Sequence, residues 1–208
     1  MTSPKGRNLI AGVMPLIIAG GTPGCGQVDR SPTKAANDSS FAGSASAPIA
    51  AVADARGNIH VPSDYRSSYR FAGTWAVAAD KGAGSQQLHS VYISPGGIEA
   101  HKNTGHFPDG TVLVKEVFAA ETKPMTTGTV SHSGKLIGWF VMVKDSKNTH
   151  PGNKLWGDGW GWAWFDSDKP NATKSTDYQT DCKGCHEPAR AKDWTYVEGY
   201  PELRSEAR

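Results

Sequence analysis

The sequence predicts an α+β fold that is mainly β, an antiparallel sheet carrying a few short helices. Three observations predict it. Apolar and polar residues alternate with period two in several segments, as on half-buried strands. Glycine-containing turns stand directly before two of those segments. Segments with helical character are few and short.

Taken in order, a first short helix is expected from Pro62 to Ser68, followed by the strand Leu88-His89-Ser90-Val91-Tyr92-Ile93. A second helix is expected from Pro95 to Asn103. Thr111 to Phe118 reads as a strand entered from the turn Pro108-Asp109-Gly110, and Leu136 to Val143 as one entered from a turn at Ser133-Gly134. A fourth strand spans Gly159 to Phe165; Trp160, Trp162 and Trp164 share one face, while Gly161 and Ala163 leave the other open to close approach. The tryptophan face is expected to be core or dimer interface rather than a cofactor wall, because large aromatics at alternate positions bury area in any context.

The most specific chemical signal is Asp181-Cys182-Lys183-Gly184-Cys185-His186. The C-x-x-C-H spacing brings two sulfurs to one edge of a porphyrin and the following imidazole beneath the iron, so the expected cofactor is one covalently attached haem c. Cys182 and Cys185 would bond the haem and His186 would ligate its iron. The fold class is thus completed by a C-terminal c-type haem-binding segment, with Thr180 or Asp181 capping its first helical turn. Rival readings are a Cys182–Cys185 disulfide, a dithiol redox pair, which wants a βαβ context, and a zinc site, which wants further soft ligands. Cys25 is the remaining cysteine.

The N-terminus reads as an export signal. Lys5 and Arg7 precede an apolar run from Leu9 to Gly20, too short to span a bilayer. Residues 1–25 are expected to form a signal peptide and residues 26–58, rich in Ser, Ala, Gly and Pro, a flexible linker. Two outcomes stand at Cys25: a lipoprotein-type site, the one route by which a membrane becomes a partner, or ordinary cleavage into the periplasm. Residues 59–208 remain, about 150 of them, enough for one core around a haem. The formal charge is +2, and loss of Lys5 and Arg7 with the leader balances the 20 acidic residues; with no basic stripe, no nucleic acid is expected as a partner.

Two familiar haem architectures are excluded. An electron-carrier cytochrome c has its motif near the front and a methionine downstream, yet nothing after His186 is Met or His. A four-helix cytochrome c′ conflicts with the strand periodicity.

The chain resembles the cytochrome P-460 family and the related beta-type cytochromes c′. The resemblance rests on His89 to Ile93, on Lys102 to Glu116 with its Pro-Asp-Gly-Thr-x-x-x-Lys run, on Val143-Lys144-Asp145-Ser146-Lys147, and on the haem motif followed by Asp193 to Pro201. It implies that 59–208 is a P-460-like haem domain, a β-rich homodimer whose iron is open on its distal side. It also implies oxidation of hydroxylamine to nitrogen oxides, with electrons leaving to a periplasmic acceptor. By the same resemblance Lys115 is the lysine cross-linked to the porphyrin and Asp177, nine residues before His186, the distal carboxylate that moves protons. The beta-type relatives imply the alternative, a non-enzymatic protein that holds nitric oxide or carbon monoxide, with Phe107 and Phe118 shaping an apolar pocket.

Read without the resemblance, these residues keep plainer roles open. Lys115 shares its strand face with Leu113 and Val117, and Glu116 with Val112, Val114 and Phe118, so one of the two charges is expected to be partnered or functional. Asp177 is equally a loop acid or a helix cap. His89 is a weak candidate for a second iron ligand, and His101, His106, His132 and His150 read as surface residues.

Overall fold

A computed structural model describes residues 52–204. The expected signal peptide 1–25 with Cys25, and residues 26–51 of the expected linker, lie outside the described residues. Residues 52–58 were expected in that linker too, but they belong to the domain: Val52 and Ala53 are buried, and Ala53 pairs with Ile59 in an isolated bridge. Their apolar side chains cover sheet surface that would otherwise face water.

The strands are β1 Arg70–Ala78, β2 Ser85–Ile93, β3 Val112–Met125, β4 Gly128–Lys144, β5 Trp156–Gly157 and β6 Trp160–Asp166; the first two helices are α1 Tyr65–Ser68 and α2 Gly97–Thr104. Every strand pair is antiparallel and the sheet order is β1-β2-β3-β4-β6-β5. The fold is therefore mainly β with few short helices, as the alternation predicts. Helix α2 is bounded by Gly96 and Gly105, both left-handed (φ 81° and 76°), and the Gly105 N–H closes it on the His101 carbonyl.

Two features differ from the sequence reading. No turn forms at Ser133-Gly134. Strand β4 runs through it, Ser133 pairs with Ala120, and the irregularity is taken up as register shifts near Phe118. The alternating residues Thr129 to Ser133 continue the pairing with β3, and this outweighs a local Ser-Gly turn preference. The edge strand β1 was not expected, because its Ala and Gly residues give little alternation; Gly73 is required there, since a Cβ would meet the Gly199 carbonyl oxygen at 2.2 Å.

The sheet is buried on both faces. Val112, Val114, Val141, Val143 and Phe165 point to a face covered by the segment Val52 to Tyr65 and by Leu155 and Trp156. Val91, Leu113, Met142, Trp160 and Trp162 point to the other, covered by α2 and by the C-terminal segment with Tyr178, Cys182, Trp194 and Tyr200. Gly161 lets Trp156 lie flat on its strand, because a Cβ would stand 2.8 Å from the indole.

Alternation sends the adjacent charges Lys115 and Glu116 to opposite faces. Glu116 is partnered: Arg66 Nε and Nη2 donate to its Oε1 at 2.6 and 2.5 Å, and the Tyr65 hydroxyl donates to the same oxygen. Replacing Glu116 by Gln leaves buried donors facing a weaker acceptor, so urea denaturation is expected to show a loss of about 1–3 kcal/mol; an unchanged midpoint would mean that the Arg66 side chain, 58% exposed, finds water equally good.

Candidate functional site

Between the sheet and the C-terminal segment lies a cavity of about 430 Å³, within the range of roughly 300–1,000 Å³ usual for cofactor and small-molecule sites. Pairing register builds its floor. Val91, Lys115, Phe140 and Trp164 stand opposite one another across four strands, and Leu113, Met142 and Trp162 form the neighbouring row. Cys182, Cys185, His186, Asp181, Tyr196 and Tyr200 close the cavity from the other side.

The segment that carries the motif is wound unevenly. A π-helical turn covers Gln179–Lys183, one α-turn Gly184–His186 and a 3₁₀ stretch Glu187–Lys192; such irregular turns recur at functional sites. Its cap is neither Thr180 nor Asp181, as expected, but Asp177, whose Oδ1 accepts from Gln179 N at 3.0 Å and whose carbonyl accepts from Thr180 and Asp181 N. The Asp181 carboxylate instead folds back to accept from Thr176 N at 2.8 Å and Asp177 N at 3.2 Å, and these bonds hold its pKa below the usual carboxylate value.

Both cysteines are free, not bridged. Cys182 is buried, and desolvation pushes its thiol up to about 11, which favours the thiol over the thiolate. His186 Nδ1 lies 2.8 Å from the Trp194 carbonyl oxygen. A carbonyl only accepts, so Nδ1 carries the proton and Nε2 keeps its lone pair. Burial lowers the His186 pKa, which favours this neutral, ligating form. Trp162 meets the imidazole edge-on at 5.0 Å, so part of the tryptophan face expected to be core or interface is a wall of this cavity.

Lys115 projects into the same cavity, its Nζ 4.4 Å from the Phe140 ring centroid and without an acidic partner among the described residues. Desolvation depresses its pKa, which favours the neutral, nucleophilic amine. Of the adjacent pair, Glu116 is the partnered charge and Lys115 the unpaired one.

The model of the family described as Cytochrome P460 matches residues 62–197. This chain belongs to that family. No curated protein matches it. A cytochrome binds haem, and the residues of this P460 cavity fit one: two free thiols and an imidazole with Nε2 unprotonated face a chamber walled largely by Val91, Leu113, Val117, Ile137 and Phe140.

Not every expected site residue is brought in. Asp177 is not among the lining residues; its carboxylate is 3.7 Å from Lys154 Nζ and caps the helical turn. Phe107 and Phe118 are not in the wall either. Phe107 packs on His101 and Trp160, and Phe140 supplies the aromatic instead, because strand parity and the register shift beside Phe118 decide which ring reaches the cavity. His101, expected at the surface, is buried on Phe107, and His150 stacks on Trp156. Met142 and Gln87 also line the cavity and carried no sequence signal beyond strand parity, and Tyr196, within the Asp193 to Pro201 stretch, lines it too.

His89 lines the cavity, and its Nε2 donates to Gln87 Oε1 at 2.9 Å. Desolvation first and the nearby Lys115 charge second bring its pKa from 6.5 down to about 4. The unfolded chain therefore binds a proton that the folded one refuses between these values, so His89 costs no stability above about pH 6.5 and progressively more as the pH falls towards 4. Before haem attachment, the stability gap between wild type and His89→Gln is expected to widen across that window; a gap independent of pH would show that the imidazole titrates freely.

Proposed function

We propose that this protein is a periplasmic, mono-haem c-type cytochrome with an open distal iron site that oxidises hydroxylamine to nitrogen oxides. Cys182 and Cys185 attach the haem, His186 ligates its iron, and Lys115 bonds the porphyrin edge. The supporting observation is that an unpaired lysine with a depressed pKa shares one cavity with the whole C-x-x-C-H motif. Export by the 1–25 leader, with or without a lipid on Cys25, fits covalent haem attachment outside the cytoplasm, and the family resemblance adds a homodimer and a periplasmic electron acceptor.

A haem bound here supplies the iron that binds hydroxylamine and accepts its electrons. The chain must take the protons. Asp177 does so only if its carboxylate leaves Lys154 and turns inward, whereas His89 is already in the wall with its Nε2–H given to Gln87, but its pKa of about 4 makes its Nδ1 a weak base. Val117, Ile137 and Phe140 line the cavity with apolar side chains and would limit competing water around a bound haem.

A second reading is favoured by those same apolar walls and by the outward turn of Asp177. In that reading the protein binds nitric oxide or carbon monoxide without chemistry, as the beta-type relatives do.

Proteolysis followed by mass spectrometry is expected to recover a haem peptide joining the Lys115 segment to the Cys182–Cys185 segment; separate peptides remove the cross-link. Hydroxylamine turnover with an artificial electron acceptor is expected to fall about 100-fold or more in whichever of Asp177→Asn and His89→Gln removes the proton acceptor. Absence of turnover in the wild-type holoprotein, with tight nitric oxide binding, selects the second reading.

A further inference from the structure

Beyond the 3₁₀ stretch Glu187–Lys192 that follows the haem motif, Asp193 and Trp194 both occupy the left-handed region (φ 54° and 64°). Neither is glycine, and consecutive positive φ values are costly, about 1–3 kcal/mol each, so the surroundings must hold them there. The holding group is the Asp193 carboxylate. Its Oδ1 accepts from Lys144 Nζ at 2.5 Å and its Oδ2 from the Phe107 backbone N–H at 2.8 Å. Both side chains are almost fully buried, at 10% and 5% exposure. Lys144 Nζ also lies 4.7 Å from the Trp160 ring, and its backbone is fixed by bonds to Gly110 and Thr111.

This cluster is off the cavity wall, yet it governs one atom that faces His186. The Trp194 N–H is tied back to the Ala189 carbonyl at 3.0 Å, and the same left-handed backbone aims the Trp194 carbonyl at His186 Nδ1, 2.8 Å away. We propose that the buried Lys144–Asp193 pair is the positioning device for His186: it locks the strained Asp193-Trp194 backbone so that the Trp194 carbonyl holds the imidazole's tautomer and orientation. Lys144 and Asp193 are thus positioning residues, linked through one peptide group to the iron ligand. Outer-shell partners of this kind orient metal-bound histidines and raise their basicity. The end of β4 thereby sets the donor strength of a ligand about forty residues further along the chain.

The inference rests on the haem reading, and holoprotein tests both separately. Resonance Raman of the ferrous protein and spectroelectrochemistry are measured for Lys144→Met, Asp193→Asn, Lys144→Arg and the control Glu116→Gln, whose buried carboxylate lies on the opposite face of the sheet. Loss of the pair loosens the Nδ1–H bond and makes the imidazole a weaker donor. The expected result in Lys144→Met and Asp193→Asn is an iron–histidine stretching band at lower frequency and a more positive midpoint potential, restored towards wild type in Lys144→Arg and unmoved in Glu116→Gln. Should Asp193→Asn fail to fold, Lys144→Met keeps the apolar stem over Trp160 and decides alone. A band at the wild-type position, or an equal shift in Glu116→Gln, overturns the positioning role; a purified protein with no Soret absorption overturns the haem reading instead.

Discussion

Pairing register between β2, β3 and β4 governs this domain, because side chains alternate with a period of two and a slip of one residue exchanges the faces. In the observed register Lys115 stands between Val91 and Phe140 in the cavity, and Glu116 lies among valines where Arg66 and Tyr65 reach it. Shifted by one, the carboxylate would sit beside the cysteines and the ammonium in an apolar core with an arginine for a neighbour. Each face therefore rejects the other's charge, and the register is specified by electrostatics as well as by burial. Valines 112, 114, 141 and 143 on one face and the Trp160–Trp162 surface on the other add the apolar area that makes the arrangement hold.

The two buried carboxylates do different work. Glu116 joins the N-terminal segment to the sheet through Arg66, whose side chain is largely exposed, so that pair is partly hydrated. Asp193 and Lys144 are both desolvated, and such a pair stabilises little in itself but is costly to break, which suits a part that must hold one geometry. The pair stands beside a strained backbone and outside the cavity wall, next to the residue whose carbonyl faces His186.

In the cavity, the enzymatic and gas-binding readings differ by little. Both proposals need an unprotonated His186 Nε2 and an apolar chamber, and the cavity supplies these. They diverge over one proton acceptor. Held by Lys154, Asp177 serves the helix cap, and the neutral His89 is the nearest substitute in the wall.

Some of this was legible in the sequence because it depends on neighbours along the chain. The C-x-x-C-H run, period-two alternation and the conflict between adjacent Lys115 and Glu116 are local facts, and they determined the cofactor class, the β-rich fold and the identity of the cavity lysine's strand. Tertiary structure decided what depends on residues distant in sequence. Which charge was partnered required Arg66 to arrive from 50 residues away; the strand through Ser133-Gly134 required β3 beside it; and the buried pair next to the His186 acceptor required Lys144 and Phe107 to meet Asp193 across the fold. Alternation tells which residues share a face, but only packing tells what that face meets, because contacts between remote segments follow from how the whole chain buries its surface.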